Sequence, residues 1–247
     1  MKLVDEEILK QNPWYVDSQI DTLQIPAYYH TFVNRWDFIS KELKKERKSS
    51  QHKLKVLDAG CGDGINLIQL SKENNIDLFA LDYNSIRVER AKEKFNNVDV
   101  FQDDLTEINE NLIEKFDVIL CSQVIEHIPN YETVIKNLHK YLTSNGLLIL
   151  GTPNEGCYLA RLRNNVFEPN TLKNSDHIHF FKINEFVSDL KKQNYIIENT
   201  YIENFFYPRS KWFVKMGETE FKRKISRLLM QLFPSQVAGF YISIRKH

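Results

Sequence analysis

Short apolar runs alternate along the chain with stretches whose apolar residues recur every third or fourth position. The first periodic stretch covers about 17–47, where Ile25, Tyr28, Tyr29, Phe32, Val33, Trp36, Ile39 and Leu43 share one helical face. Asp17 or Ser18 is placed to cap that helix. Continuous apolar runs at 54–58, 77–82, 98–102, 116–121 and 147–150 predict five strands. Helical spacing over 64–74, 85–95 and 131–142 fills the gaps. A helix at 184–193, a strand at 195–201, an amphipathic helix at 217–233 and a strand at 237–245 follow. Strands alternating with helices predict an α/β fold built on a mostly parallel sheet. The run FDVILC at 116–121 is uninterrupted, as a parallel strand covered on both faces should be.

One junction breaks the rhythm. Residues 55–70 read KVLDAGCGDGINLIQL, a strand, a turn with Gly60, Gly62 and Gly64, and the start of a helix. Glycines admit backbone angles that other residues avoid and let a ligand approach the main chain. A helix start supplies unpaired N–H groups in the same space. Asp82 closes the second strand at about the twenty-residue spacing from which an acid reaches a ribose. Turn and acid together predict an adenosine-containing ligand. The spacing is tighter than the GxGxxG dinucleotide fingerprint, which disfavours a nicotinamide-dependent oxidoreductase.

VLDAGCGDG followed by ALDYN resembles motifs I and II of the class I S-adenosylmethionine-dependent methyltransferases, and the resemblance covers 55–154. It implies a Rossmann-like sheet of seven strands, mostly parallel, with an antiparallel final strand and helices on both faces under an N-terminal helical cap. It implies S-adenosylmethionine as cofactor, with S-adenosylhomocysteine as product. It also assigns cofactor contacts to Asp58, Gly60, Cys61, Gly62, Gly64, Asn66, Asp82 and Tyr83. Asp104 and the Leu105 amide match the adenine-binding positions after strand three, and Cys121 and Gln123 the fourth motif after strand four. The segment Asp176-His177-Ile178-His179-Phe180-Phe181 is similar to the DHxxxF segment of small-molecule O-methyltransferases. On this reading one domain divides into a cap at 1–52, a cofactor core at 53–155 and a substrate side at 156–247.

Composition narrows the partners. The 247 residues carry 33 basic and 33 acidic side chains, so net charge gives no support for a nucleic-acid binder. Three scattered cysteines suit a reducing compartment and offer no CxxC zinc spacing. The first residues lack the apolar core of a secretion signal, and no run approaches the ~20 residues of a bilayer span. A cytoplasmic protein acting on a small molecule is the expectation.

Methyl transfer to oxygen calls for a base, and three histidines are candidates. His127 follows strand four, and His177 and His179 precede a helix. Their i, i+2 spacing turns His177 and His179 to opposite sides of an extended segment, so at most one of them faces the substrate. His177 is the first choice through the resemblance and His127 the second, with a structural role for His127 as the alternative. Some quinone O-methyltransferases resembling this chain place two Glu and a His after strand four. Glu126 and His127 match the later pair, but Gln123 occupies the earlier acid's place, so no metal is expected.

Three regions leave alternatives open. The N-terminal helix either packs on the core or acts as a lid, with Trp14, Tyr15, Tyr28 and Tyr29 walling a substrate pocket. The stretch 155–175, a loop or short helix inserted after strand five, carries Arg161, a candidate substrate contact beside His179. The helix at 217–233, within an aromatic insertion at 203–236, either faces the core or contacts a membrane surface or a second copy. The expected reaction is O-methylation of a sugar or glycan precursor. A quinone-type phenol and a non-catalytic, cofactor-binding partner subunit are the alternatives.

Overall fold

The computed structural model describes residues 19–171 and 176–246. Alternation along the central strands sends neighbouring side chains to opposite faces of a sheet, and both faces are covered. Strand β1 (Leu54–Ala59) pairs in parallel with β2 (Ile76–Asp82) and β4 (Phe116–Ser122). β2 pairs with β3 (Asp99–Gln102), and β4 with β5 (Leu142–Pro153). The last strand, β7 (Val237–Lys246), inserts antiparallel between β5 and β6 (Tyr195–Phe205). Among the described residues the order is β3-β2-β1-β4-β5-β7-β6. This is the predicted seven-stranded Rossmann-like sheet with one antiparallel strand.

On one face Val56, Val118, Leu120 and Ile149 pack with Ile39 and Leu43 of α1 (Pro26–Ser49). Leu67 and Leu70 of α2 (Leu67–Leu70) and Val88 and Ala91 of α3 (Ser85–Lys94) complete that layer. On the other face Leu57, Ile119 and Leu148 meet Val134, Leu138 and Tyr141 of α4 (Tyr131–Tyr141) and Phe186 and Leu190 of α6 (Ile183–Lys192). A short α5 (Tyr158–Leu162) runs into a π turn at Arg163–Phe167, where a loop or short helix was expected.

The N-terminal helix starts later than its periodicity suggested. A 3₁₀ turn, Gln19–Gln24, comes first, and α1 begins at Pro26. Proline lacks the N–H of a helix interior and clashes with the preceding turn, so it belongs at the first position. The capping residues Asp17 and Ser18 and the aromatics Trp14 and Tyr15 lie outside the described residues. The helix after the glycine turn is regular only over α2, shorter than the expected 64–74.

The predicted helix at 217–233 is α8 (Glu220–Leu232), and a helix that the sequence reading did not assign, α7 (Ser210–Gly217), precedes it. A Cβ at Gly217 would meet the backbone of Ala27, so the chain needs a glycine where α7 crosses α1. Thr219 caps α8 by accepting from the Lys222 N–H at 3.3 Å. The core-facing reading of this helix is corrected, because none of its residues is buried.

A buried ion pair ties α1 to the sheet edge. Arg35 Nε donates to Glu203 Oε1 of β6 at 2.6 Å, and its guanidinium lies 4.9 Å from the centre of the Tyr241 ring. Burial presses the guanidinium towards its neutral form, but Glu203 and the flanking tyrosines outweigh it and hold it charged. Arg35→Ala leaves Glu203 buried without its partner, and we expect a loss of about 3–5 kcal/mol in urea unfolding. The double change with Glu203→Gln should recover part of it.

Candidate functional site

A cleft of about 1360 Å³ opens at the carboxyl ends of β1, β2, β4 and β5. Its floor starts at the glycine turn. Gly60, Gly62 and Gly64 adopt φ of 80°, 55° and 87°, a left-handed conformation that suits glycine. Gly60 and Cys61 donate their N–H groups to Leu81 O at 2.8 and 2.9 Å, which stitches the turn to the end of β2. Asp82 completes the joint by accepting from Gly62 N at 2.8 Å and Asn84 N at 2.8 Å. Burial pushes the Asp82 carboxyl up, and those two N–H groups oppose the shift.

Beneath the turn, Asp58 is fully buried. Its Oδ1 accepts from Asn66 Nδ2 at 3.1 Å, while Oδ2 has no hydrogen-bond partner. Burial pushes this carboxyl up to about 7. Its unused oxygen is closed off from the cleft, so the ligand-facing part of the cradle is the glycine turn itself, with Asp82 at its edge.

Beyond β3, Asp103 accepts from Asp104 N at 2.8 Å and from Asn109 Nδ2 at 2.7 Å, which shapes the loop. Asp104 uses Oδ1 on Thr106, and it lines the cleft with Leu105. Both acids line the cleft, and Asp103 has both carboxyl oxygens engaged by the loop.

Helix α1 contributes to both the core and the cleft, and of the four aromatics expected to wall a pocket only Tyr28 is seen to line it. Ile39 and Leu43 belong to the core, while Tyr28, Thr31, Phe32 and Arg35 line the cleft at helical spacing. Gln19 N donates to Asp63 Oδ2 at 3.0 Å, and a Cβ at Gly62 would strike the Gln19 side chain. The 3₁₀ turn therefore sits directly on the glycine turn. Phe205, Phe206, Tyr207 and Phe213 form the facing wall, with Tyr28 edge-on to Phe213 at 5.2 Å.

The far end of the cleft is a cluster of acids and histidines. Gln123 holds φ of 60° as the chain leaves β4, a strained conformation for a residue with a side chain. Glu126 follows and is fully buried. Its Oε2 accepts from Thr152 Oγ1 at 3.2 Å, and its Oε1 has no hydrogen-bond partner. Burial pushes the Glu126 carboxyl up, against the pull of His127 and His177. The Glu126 carbonyl accepts from the N–H groups of Ile178 and His179 at 2.9 and 3.1 Å, so the 176–181 segment is strapped over the loop.

That strap brings His177 against His127, with ring centres 4.7 Å apart. His177 Nδ1 lies 2.5 Å from Glu155 Oε2, and Arg163 Nη2 donates to Glu155 Oε1 at 2.8 Å. His127 Nδ1 lies 3.1 Å from Asp176 Oδ1. Burial disfavours the His177 imidazolium, but Glu155, Glu126 and Asp176 together raise its pKa above the ordinary value. Glu155 moves down despite burial, through His177 and Arg163. Asp176 is held at about 2, where burial is outweighed by the His127 contact.

The structure gathers Gly60, Cys61, Gly62, Asn66, Asp82, Tyr83, Asp104, Leu105, Gln123, His127, His177 and Tyr28 in one cleft. It separates six expected site residues from it. Asp58 lies under the turn, Gly64 packs towards Phe95, and Cys121 belongs to the core of the sheet. Tyr29 is half-exposed and edge-on to His30, and Arg161 is exposed. His179 turns away from His177 and sits 3.0 Å from Ile128 O and 3.1 Å from Pro129 O, between Tyr131 and Phe181. It clips the strap in place.

Glu155, Arg163 and Asp176 are cleft residues that sequence reasoning passed over. Asp176 adjoins His177, the one local signal. Glu155 and Arg163 carried none, since they meet His177 only across the fold.

Glu126, His127 and His177 offer ligand atoms within 4.8 Å of one another. The sequence argument against a metal counted the loop after β4 alone. The strap adds His177 as a third donor, and the carboxylates behind both histidines are the usual support for metal-binding imidazoles.

Known proteins share this fold. The chain is 28% identical over 157 residues to a protein of Rickettsia akari named ubiquinone biosynthesis O-methyltransferase, covering 62% of this chain and 59% of that one. The chain thus spans about half the length of the curated relatives it matches. A sarcosine dimethylglycine methyltransferase structure from Galdieria sulphuraria, so described, superposes with a TM-score of 0.58 at 16% identity, covering 85% of this chain and 83% of that one. Coclaurine N-methyltransferase bound to N-methylheliamine and SAH superposes with a TM-score of 0.54 at 17% identity, covering 84% and 71%. The family model described as a methyltransferase domain matches residues 28–199, more than half of the chain. With the glycine turn, the strand-end acid and the sheet order in place, this chain belongs to the class I S-adenosylmethionine-dependent methyltransferases.

Proposed function

We propose that the protein transfers the methyl group of S-adenosylmethionine to an oxygen of a small hydroxylated acceptor, and that His177 takes the acceptor's proton. The observation carrying this reading is the Glu155–His177 contact at the cleft. A proton held on Nδ1 against Glu155 puts the basic lone pair on Nε2. Glu155 is a positioning residue, and Arg163 keeps it ionised. The cofactor supplies an electrophilic methyl group, so the chain's part is to orient the acceptor, exclude water and remove one proton. Tyr28, Phe205, Phe206 and Phe213 give the acceptor a flat apolar wall.

That wall suits a ring. A sugar or glycan precursor draws support from the polar end at Glu155, Arg163 and Asp176. A quinol-type phenol draws support from the aromatic wall and from the relatives' name. Labelled S-adenosylmethionine given to an extract of the source cells, with Asp82→Ala protein as control, separates the two. Label is expected in polar small molecules for a glycan precursor, or in lipids for a quinol. Label in protein or nucleic acid would overturn the acceptor class. Full activity in both His127→Ala and His177→Ala would remove the general base. No label in any fraction, with cofactor binding intact, would favour a non-catalytic partner subunit.

The same assay tests the histidine cluster for an ion. A chelator should leave the rate unchanged if His177 works as a base. A loss restored by added divalent cation would instead put an ion on Glu126, His127 and His177.

A further inference from the structure

Helix α8 is built with its apolar side outward. Phe221, Ile225, Leu228 and Leu232 recur at helical spacing, and Phe221, Leu228 and Leu232 are 73%, 54% and 62% exposed. Phe233, just past the helix, is 51% exposed. The inward side is mixed, with polar groups beside Met230. Arg223 Nη1 donates to Gly217 O at 2.8 Å, and Ser226, Arg227 and Met230 line a small cavity against α1 and β6. A helix on a water-facing surface normally turns the other way round.

The charge around this stripe is one-sided. Residues 209–233 hold seven basic and two acidic side chains, an excess of five positive charges in a chain whose total is zero. Glu218 and Glu220 pair with Lys222, Arg223 and Arg227. Lys211, Lys215 and Lys224 are exposed and form no salt bridge with any described residue. Trp212 beside them is 44% exposed.

We propose that α7 and α8 dock the protein on an anionic lipid surface, with the outward stripe of α8 among the acyl chains and Lys211, Lys215 and Lys224 at the headgroups. An in-plane helix with an apolar face and flanking lysines is the form such contacts take. A second copy is the poorer occupant. A stable dimer needs about 800 Å² from each partner, and one stripe of about 20 Å is narrow for that. A two-fold contact would also set two equally basic patches against each other. No described helix is long and apolar enough to cross a membrane, so the contact is peripheral.

The same insertion reaches the cleft. Ser210 and Phe213 of α7 line it, and Phe205 on its wall lies 6.4 Å from Phe233, ring centre to ring centre. An acceptor with an apolar tail would meet Phe233 and Phe205 between the lipid and the site. The docking surface itself does not depend on which acceptor is methylated or on whether His177 is a base.

Co-sedimentation with vesicles tests it, using the full chain. Wild type should pellet with vesicles of equal phosphatidylglycerol and phosphatidylcholine and remain in solution with phosphatidylcholine alone. Phe221→Ser/Leu228→Ser/Leu232→Ser should stay in the supernatant. Lys211→Glu/Lys215→Glu/Lys224→Glu should bind at least about tenfold more weakly. Both variants should keep wild-type S-adenosylmethionine affinity by calorimetry, which shows that they are folded. Wild type left in solution with anionic vesicles would overturn the proposal. So would a dimer in sedimentation velocity that the serine variant abolishes.

Discussion

Asp82→Ala should bind S-adenosylmethionine at least about a hundredfold more weakly while keeping a cooperative unfolding transition. The carboxylate accepts from the Gly62 and Asn84 N–H groups, and both hydrogen bonds are charge-assisted. Such bonds contribute roughly 1.5–3 kcal/mol each, and about 1.4 kcal/mol is tenfold in affinity. Their loss frees the glycine turn from the end of β2 and removes the acid that the family resemblance assigns to the ribose hydroxyls. The fold should suffer less than binding, because burial already opposes the charge on Asp82. Asp82→Asn keeps one acceptor and should fall between wild type and Asp82→Ala. Isothermal calorimetry reads the affinity, and a near-wild-type value for Asp82→Ala would show that the turn stands without its brace.

The second large effect is expected in the pH profile. Only neutral His177 can accept a proton, so kcat should rise with pH along a limb governed by its ionisation. Glu155 holds that imidazolium, with help from Glu126 and Asp176, so the midpoint should lie above the ~6.5 of an unperturbed imidazole. Glu155→Gln removes the adjacent anion and should move the limb to lower pH while lowering the plateau, because the ring loses its orientation. A purely structural Glu155 would lower activity without moving the midpoint. His177→Ala should cost about 10²–10⁴ in kcat with cofactor affinity unchanged.

The same linkage has a stability consequence. A raised histidine pKa stabilises the fold below the unfolded value and loses that contribution as pH rises through the folded one. Glu155, shifted down, contributes above its unfolded value and loses it as pH falls through the folded one. The pair therefore stabilises most on the mildly acidic side of neutrality.

The cofactor half was legible in the chain because its signals are local. Lys55–Leu70 carries strand, turn and helix start in one stretch, and Asp82 follows at a fixed spacing. The substrate half was legible only as a list of candidates, three histidines with Tyr28, Tyr29 and Arg161, and not as an arrangement. His177 and His179 are two residues apart, yet one meets Glu155 at the cleft and the other clips the strap onto Ile128 and Pro129. Extended geometry predicts that they diverge; which one faces inward depends on the N–H groups of Ile178 and His179 reaching the Glu126 carbonyl.

Sequence by itself determined the alternation of strands and helices, the glycine turn and the strand-end acid, since each is set by neighbours a few residues away. Only the tertiary structure decided that Glu155, Arg163 and Asp176 stand behind the two histidines, and that Glu126 is buried with one oxygen outside any hydrogen bond. It also decided that the apolar face of α8 turns outward. The periodicity of α8 establishes that the helix has two unlike faces. The side on which the protein lies depends on the polar contacts α8 makes with Gly217 and with the cavity against α1 and β6, and these form only when distant segments meet.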